Sequence, residues 1–286
     1  MSTNTGMGRD VKQAEYRARG VATSRWMVML ARLGYAIKGV VYVIIGFLAV
    51  QLAAGVGGGK ATDQKGALLT ISALPFGKFL LVIMVIGLFA FAIWCFIQAI
   101  FDTEAKGKKA KGIIARVGYA FVGIAYAALG YGALQLLLGA GSAGKSYTTN
   151  TQDWTGILLK QPFGVALVVI VGLVILGVAV YLYSKAYTGK FHDRLSLTSL
   201  KAQTQRLIIG LGRLGYGALG VVFTIIGIFM IVAAVQHNPN DAKGLDSALL
   251  ELTHQPFGQL LLGIVALGLI AYGIYSFAEA RYRRIG

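Results

Sequence analysis

Residues 32–46 read RLGYAIKGVVYVIIG, with Arg32, Gly34, Tyr35, Gly39, Tyr42 and Gly46 as the skeleton. The skeleton returns as Arg116, Gly118, Tyr119, Gly123, Tyr126 and Gly130, and again as Arg213, Gly215, Tyr216, Gly220, Phe223 and Gly227. Within a copy, the arginine, Tyr35, Gly39, Tyr42 and Gly46 are spaced by three and four residues, so a helix lines them up along one stripe. The stripe is small and aromatic, which is the character of a helix-packing seam. The nine glycines and Tyr35, Tyr119 and Tyr216 are therefore read as packing residues.

Composition sets the environment. Of 286 residues 56% are hydrophobic and 13% charged, with mean hydropathy +0.68, too apolar for a soluble domain of this length. One hydrocarbon crossing takes about 20 apolar residues, and six such runs can be drawn, near 31–54, 77–100, 115–140, 163–184, 212–236 and 257–278. The 39 glycines suit membrane helices. Cys95 is the only cysteine, so no internal disulfide forms. The first apolar run is itself the first repeat copy, and no cleavable signal peptide is expected.

The net charge of +16 invites a nucleic-acid reading until the charges are placed. Twenty of the 27 Lys and Arg fall in the N-terminal tail through Arg32, in segments 101–116 and 185–213, and after 280. Six fall in the three hairpin loops, and Lys38 completes the set. By the positive-inside rule both termini and the two inter-repeat connections are cytoplasmic. Anionic headgroups are the expected partner of this charge, and nucleic acid is not.

Each repeat holds a second signature. Pro75-Phe76-Gly77, Pro162-Phe163-Gly164 and Pro256-Phe257-Gly258 precede the second apolar run, and proline in the first turn marks a helix start. Asp63, Asp153 and Asp246 precede short apolar runs in the loops and read as N-caps of brief surface helices. Counted from the prolines, Trp94, Tyr181 and Tyr275 align, as do Gln98, Lys185 and Glu279. The aromatics read as an interfacial belt and the polar set as a ring of helix ends.

Three tandem two-helix repeats, each with Arg-x-Gly-Tyr-x-x-x-Gly early and Pro-Phe-Gly before the second helix, resemble a bacterial membrane family, the domain of unknown function numbered twelve hundred and six. The resemblance covers Ala31 to the C-terminus; Phe223 in place of the tyrosine is its mild departure. It implies a six-helix membrane fold and a bacterial inner (plasma) membrane location, and it carries over no catalytic or binding residue.

The chemistry is sparse. His192, His237 and His254 lie outside the six runs, which disfavours haem ligation, and no acid is central in any run. No Ser/His/Asp or Cys/His set can be assembled at matching depth, and Gly57-Gly58-Gly59-Lys60 lacks the phosphate-loop spacing. No cofactor or metal is expected. Lys38 is the one charge inside a run: as an intramembrane lysine it is a functional candidate, while its long stem can also snorkel back to the headgroups. Arg32, Arg116 and Arg213 either anchor helix ends to lipid phosphate or converge as an anion-attracting ring. Lysine never replaces them, which is consistent with a bidentate role.

The expected fold is all-α and integral to the membrane: six transmembrane helices as three tandem hairpins about a pseudo-threefold axis. The divisions are a basic tail (1–30), repeat 1 (31–102), a linker (103–114), repeat 2 (115–187), a basic linker (188–211) and repeat 3 (212–286). The expected function is non-enzymatic, a structural, scaffold or complex-accessory role through assembly with itself or a larger complex. The alternative is a small channel or transporter, with anion preference, whose path runs between the hairpins.

Overall fold

Apolar runs separated by proline-glycine turns fold helix by helix, and a computed structural model describes residues 25–56, 59–101, 110–139, 147–197 and 200–283. Repeat 1 contains α1 (Arg25–Ala53), α2 (Gln64–Ser72) and α3 (Gly77–Phe101). Repeat 2 contains α4 (Ala110–Leu137), α5 (Tyr147–Leu159) and α6 (Gly164–Thr188), and repeat 3 contains α7 (Ala202–Val235), α8 (Leu245–Thr253) and α9 (Gly258–Tyr282). The six longer helices are each long and apolar enough to cross a membrane, and the chain is an all-α, multi-pass membrane protein. Residues 1–24, and most of the linker expected at 103–114, lie outside the described residues.

Three helix starts differ from the expected divisions: α1 begins at Arg25 inside the expected tail, α4 at Ala110 inside the expected linker, and α7 at Ala202 inside the basic linker. Helix α7 has 34 residues and so extends about 50 Å, taking in the second half of the basic linker. No proline interrupts residues 202–211, Ile208 is buried, and the Gln205 amide donates to the carbonyls of Leu197 (2.9 Å) and Leu200 (3.0 Å), tying the helix start to the preceding loop. The first half of the linker holds a 3-10 turn, Lys190–Arg194. Of the three loop aspartates, Asp63 caps α2 by accepting from the Gly66 N–H at 2.7 Å. Asp153 and Asp246 instead lie inside α5 and α8, which start earlier.

The Pro-Phe-Gly signature is a turn that precedes the helix. The Gly77 N–H donates to the Leu74 carbonyl at 2.8 Å and the Gly164 N–H to Gln161 at 2.9 Å. Phe76, Phe163 and Phe257 have φ of 64°, 61° and 58°, the left-handed value of the third residue of a type II turn with proline second. Proline thus stands before the cap rather than in the first helical turn. Glycine must follow, because a Cβ on Gly77 would lie 2.3 Å from the Ser72 carbonyl oxygen. The three phenylalanines are more than 80% exposed.

The long helices form an incomplete ring. Each first helix packs on the second helix of the preceding repeat: α4 on α3, α7 on α6, and α1 on α9 across the chain's two ends. Within repeats 1 and 3 the two long helices also pack, α1 on α3 and α7 on α9. In repeat 2, α4 and α6 share no such face. The face carrying the repeat arginines is closed by the 195–197 loop, where the Ser196 N–H donates to the Tyr282 carbonyl (2.8 Å) and Leu195 bridges Arg283.

Candidate functional site: a charged aromatic interior beside an open seam

The repeated glycines face two ways. Glycines two and three of each stripe meet the neighbouring repeat: a Cβ on Gly39 would lie 2.8 Å from Gly273 O, and one on Gly46 2.7 Å from Ala266 O. Gly220 and Gly227 meet Tyr183 and Leu176 of α6 in the same manner, and Gly123 and Gly130 meet Phe96 and Phe89 of α3 more loosely. The first glycine meets its own repeat. Gly34 lies against Phe91 (2.5 Å to an added Cβ) and Gly215 against Tyr272 (2.6 Å), so the two helix backbones approach directly at an aromatic residue.

Repeat 2 breaks this rule. Gly118 has nothing within 4 Å of an added Cβ. The position of Phe91 and Tyr272 is Val178, and the position of Gly87 and Gly268, against which Ile37 and Ala218 pack, is Val174. Without glycine on the second helix the backbones cannot approach as closely. Phe121, Val174 and Val178 are accordingly 68%, 61% and 38% exposed.

The ring interior near the arginine face is charged and aromatic. Lys38 is 6% exposed. Its Nζ donates to Glu279 Oε2 at 2.9 Å and to the Tyr272 hydroxyl at 3.3 Å, and it lies 4.9 and 5.0 Å from the ring centroids of Tyr35 and Tyr272. It therefore does not snorkel. Its countercharge is supplied by the last helix, 241 residues away, because α1 packs on α9. Arg283 Nη1 donates to the other oxygen, Glu279 Oε1, at 2.5 Å and lies 4.8 Å from the Tyr35 centroid. One carboxylate thus holds two cations among rings that polarise toward them.

In repeats 1 and 3 the aligned aromatic and polar positions turn inward, whereas Tyr181 of repeat 2 is 52% exposed and Lys185 is partly exposed. Gln98 is 3% and Glu279 2% exposed, and Trp94 and Tyr275 are 2% and 1% exposed. They are neither an interfacial belt nor a ring of helix ends at water, because the face they share is the one enclosed by neighbouring repeats. Trp94 Nε1 is buried without a hydrogen-bond partner among the described residues. Lys185, the third member, lies 4.8 Å from the centroids of both Tyr181 and Tyr216 and within electrostatic reach of Glu279, Arg194, Arg283 and Lys38. Edge-on ring contacts link Tyr35, Phe91 and Tyr126 on one side and Tyr216, Tyr272 and Tyr275 on the other, with centroids 4.6–5.7 Å apart.

The arginines do not converge. Arg116 donates from Nε to Ala99 O (2.6 Å) and from Nη2 to Ile100 O (2.8 Å), capping the carbonyl end of α3. Arg213 lies over Gly189, the C-cap of α6. In both cases a forked cation complements the helix end of the preceding repeat, and lysine could not make the two bonds of Arg116 with this geometry. Arg32 is exposed. Tyr119 accepts from Arg194 Nη1 at 3.0 Å, so a side chain of the loop after α6 reaches across to α4. Among the described residues no group of three or more His, Cys, Asp or Glu converges as a metal site.

Comparison with known proteins agrees with the repeat pattern. The model of a Domain of Unknown Function (DUF1206) matches three times, at residues 33–102, 117–189 and 214–283. The uncharacterized protein YxxB of Bacillus subtilis (strain 168) is 36% identical over 263 residues, which span 92% of this chain and 94% of that protein. No solved structure matches.

Proposed function

Since this chain belongs to the DUF1206 family, whose description assigns no activity, we propose a non-enzymatic role as a scaffold or complex accessory that receives another membrane component along the flank of repeat 2. One observation carries this reading. In the crossing windows of α1, α3, α7 and α9, 44–56% of residues are buried, against 17% in α4 and 22% in α6. In a ring built from equivalent repeats, two helices stand apart with bulky side chains turned outward. The charge distribution supports a plasma-membrane orientation with both termini in the cytoplasm.

A photo-crosslinking residue at Phe121 or Val174, in the native membrane, is expected to yield a discrete adduct, with none from Phe79 on the sealed side of the ring, which is 65% exposed. Equal labelling from all three positions would refute the reading. The alternative, a small anion channel or transporter, draws support from the cationic interior. It is opposed by the aromatic rings that occupy that interior and by the engagement of Arg116 and Arg213 with helix ends. Chloride flux in liposomes separates the two.

A further inference from the structure

We propose that the open seam of repeat 2 is a site for one anionic lipid, with its acidic headgroup on Lys185 and Arg194 and an acyl chain between α4 and α6. This rests on the reading that repeat 2 is the docking flank and names what docks there.

The seam cannot seal itself. The three substitutions that distinguish it, Phe121, Val174 and Val178 in place of Ile37 or Ala218, Gly87 or Gly268, and Phe91 or Tyr272, replace a glycine-on-aromatic joint with branched and bulky apolar groups. Gly118 on α4 and Gly177 on α6 have no neighbour within 4 Å of an added Cβ, so the surface is apolar, concave at its glycines and unoccupied by protein. Such a surface is what an alkyl chain covers.

Charge selects the headgroup. Lys185 Nζ rests against two tyrosine rings and makes no hydrogen bond or ion pair among the described residues. The carboxylate within its electrostatic reach, Glu279, already accepts from Lys38 and Arg283. Arg194 adds a guanidinium that reaches across to α4 at Tyr119. Val178 and Val174 are seven and eleven residues before Lys185, about 10 and 16 Å along the helix. A headgroup at Lys185 therefore places its chain on them. An isologous contact with a second copy would bring the same cations face to face, and a zwitterionic lipid would bring a cation of its own.

Native mass spectrometry of the full chain, delipidated and then titrated with phosphatidylglycerol or phosphatidylcholine of matched chains, tests this. The expected result is one tightly retained phosphatidylglycerol per chain, held at least tenfold better than phosphatidylcholine. Retention should fall at least tenfold in Lys185→Gln, be restored in Lys185→Arg, and be unaffected in Lys160→Gln in the loop before α6. The Val174→Gly/Val178→Phe variant, which copies the sealed seam, should also lose it. Equal retention of the two lipids, or an unchanged Lys185→Gln, overturns the proposal. Displacement of the lipid by equimolar inorganic phosphate would make this a small-anion site and also overturn it. A homodimer or a stoichiometric protein partner lost in the sealed-seam variant would overturn the lipid while keeping repeat 2 as the docking flank. A monomer with neither lipid nor partner there overturns both.

Discussion

Glu279→Gln should be the most damaging single polar substitution in the ring interior. The carboxylate is 2% exposed and accepts from Lys38 at 2.9 Å and Arg283 at 2.5 Å. Neutralising it leaves two cations facing each other with little water, and removal of one partner from a buried pair costs about 3–5 kcal/mol. Lys38→Met should be milder. Glu279 keeps Arg283, the methionine stem refills the space between Tyr35 and Tyr272, and the loss is dominated by the charged hydrogen bond to Glu279, with the longer one to Tyr272 also gone, about 1.5–3 kcal/mol. The double variant should be more stable than Glu279→Gln alone, because it removes one of the stranded cations. Reversible SDS-driven unfolding in mixed micelles, followed by circular dichroism, measures all three. A cost below about 1 kcal/mol for Glu279→Gln, or a Lys38→Met cost equal to it, would mean that water reaches the pair and that the interior is not sealed as described.

Gly46→Ala should destabilise by about 1–3 kcal/mol through overpacking against Ala266 and Ile270, whereas Gly118→Ala, with open space around it, should be neutral or gain a few tenths from helix propensity; the same unfolding assay checks both. Arg116→Lys should lose at least one of the bonds to Ala99 and Ile100 and cost about 1 kcal/mol, with the amides at the end of α3 exchanging faster with deuterium. Phe163→Gly should relieve a left-handed backbone worth about 1–2 kcal/mol, and so raise stability in detergent while lowering it in bilayers, where the exposed ring lies at the interface.

The six crossings and three repeats were legible because they are local: a run of about 25 apolar residues and a returned skeleton need no knowledge of neighbours. The two-sidedness of the glycine stripe was not. Gly34 and Gly39 look equivalent in sequence, yet one serves the helix of its own repeat and the other α9 of repeat 3. That difference decides where everything else goes. Once α1 is placed against α9, Lys38 meets Glu279, and the aligned Trp94, Tyr275 and Gln98 turn from lipid to interior. Arg116 follows the same logic, since its partners are the carbonyls of Ala99 and Ile100 on a helix of another repeat. The open seam did have a sequence signal, in Val174 where two repeats have glycine. Alignment of the second helices from their prolines displays it, but its meaning depends on knowing which residue of the first helix stands opposite.

The pairing of α1 with α9 also sets the order of events during synthesis. Lys38 enters the bilayer with the first helix, and its countercharge lies 241 residues downstream. At 5–20 residues per second of translation, the ammonium waits on the order of ten to fifty seconds for Glu279. During that interval a cation in hydrocarbon must be carried by the insertion machinery, by a local water defect, or by a lipid phosphate drawn inward. The ring can therefore close only after α9 has been made and inserted. Chains truncated after repeat 2 would be held in that waiting state, with α1 lacking both its packing face and its acid.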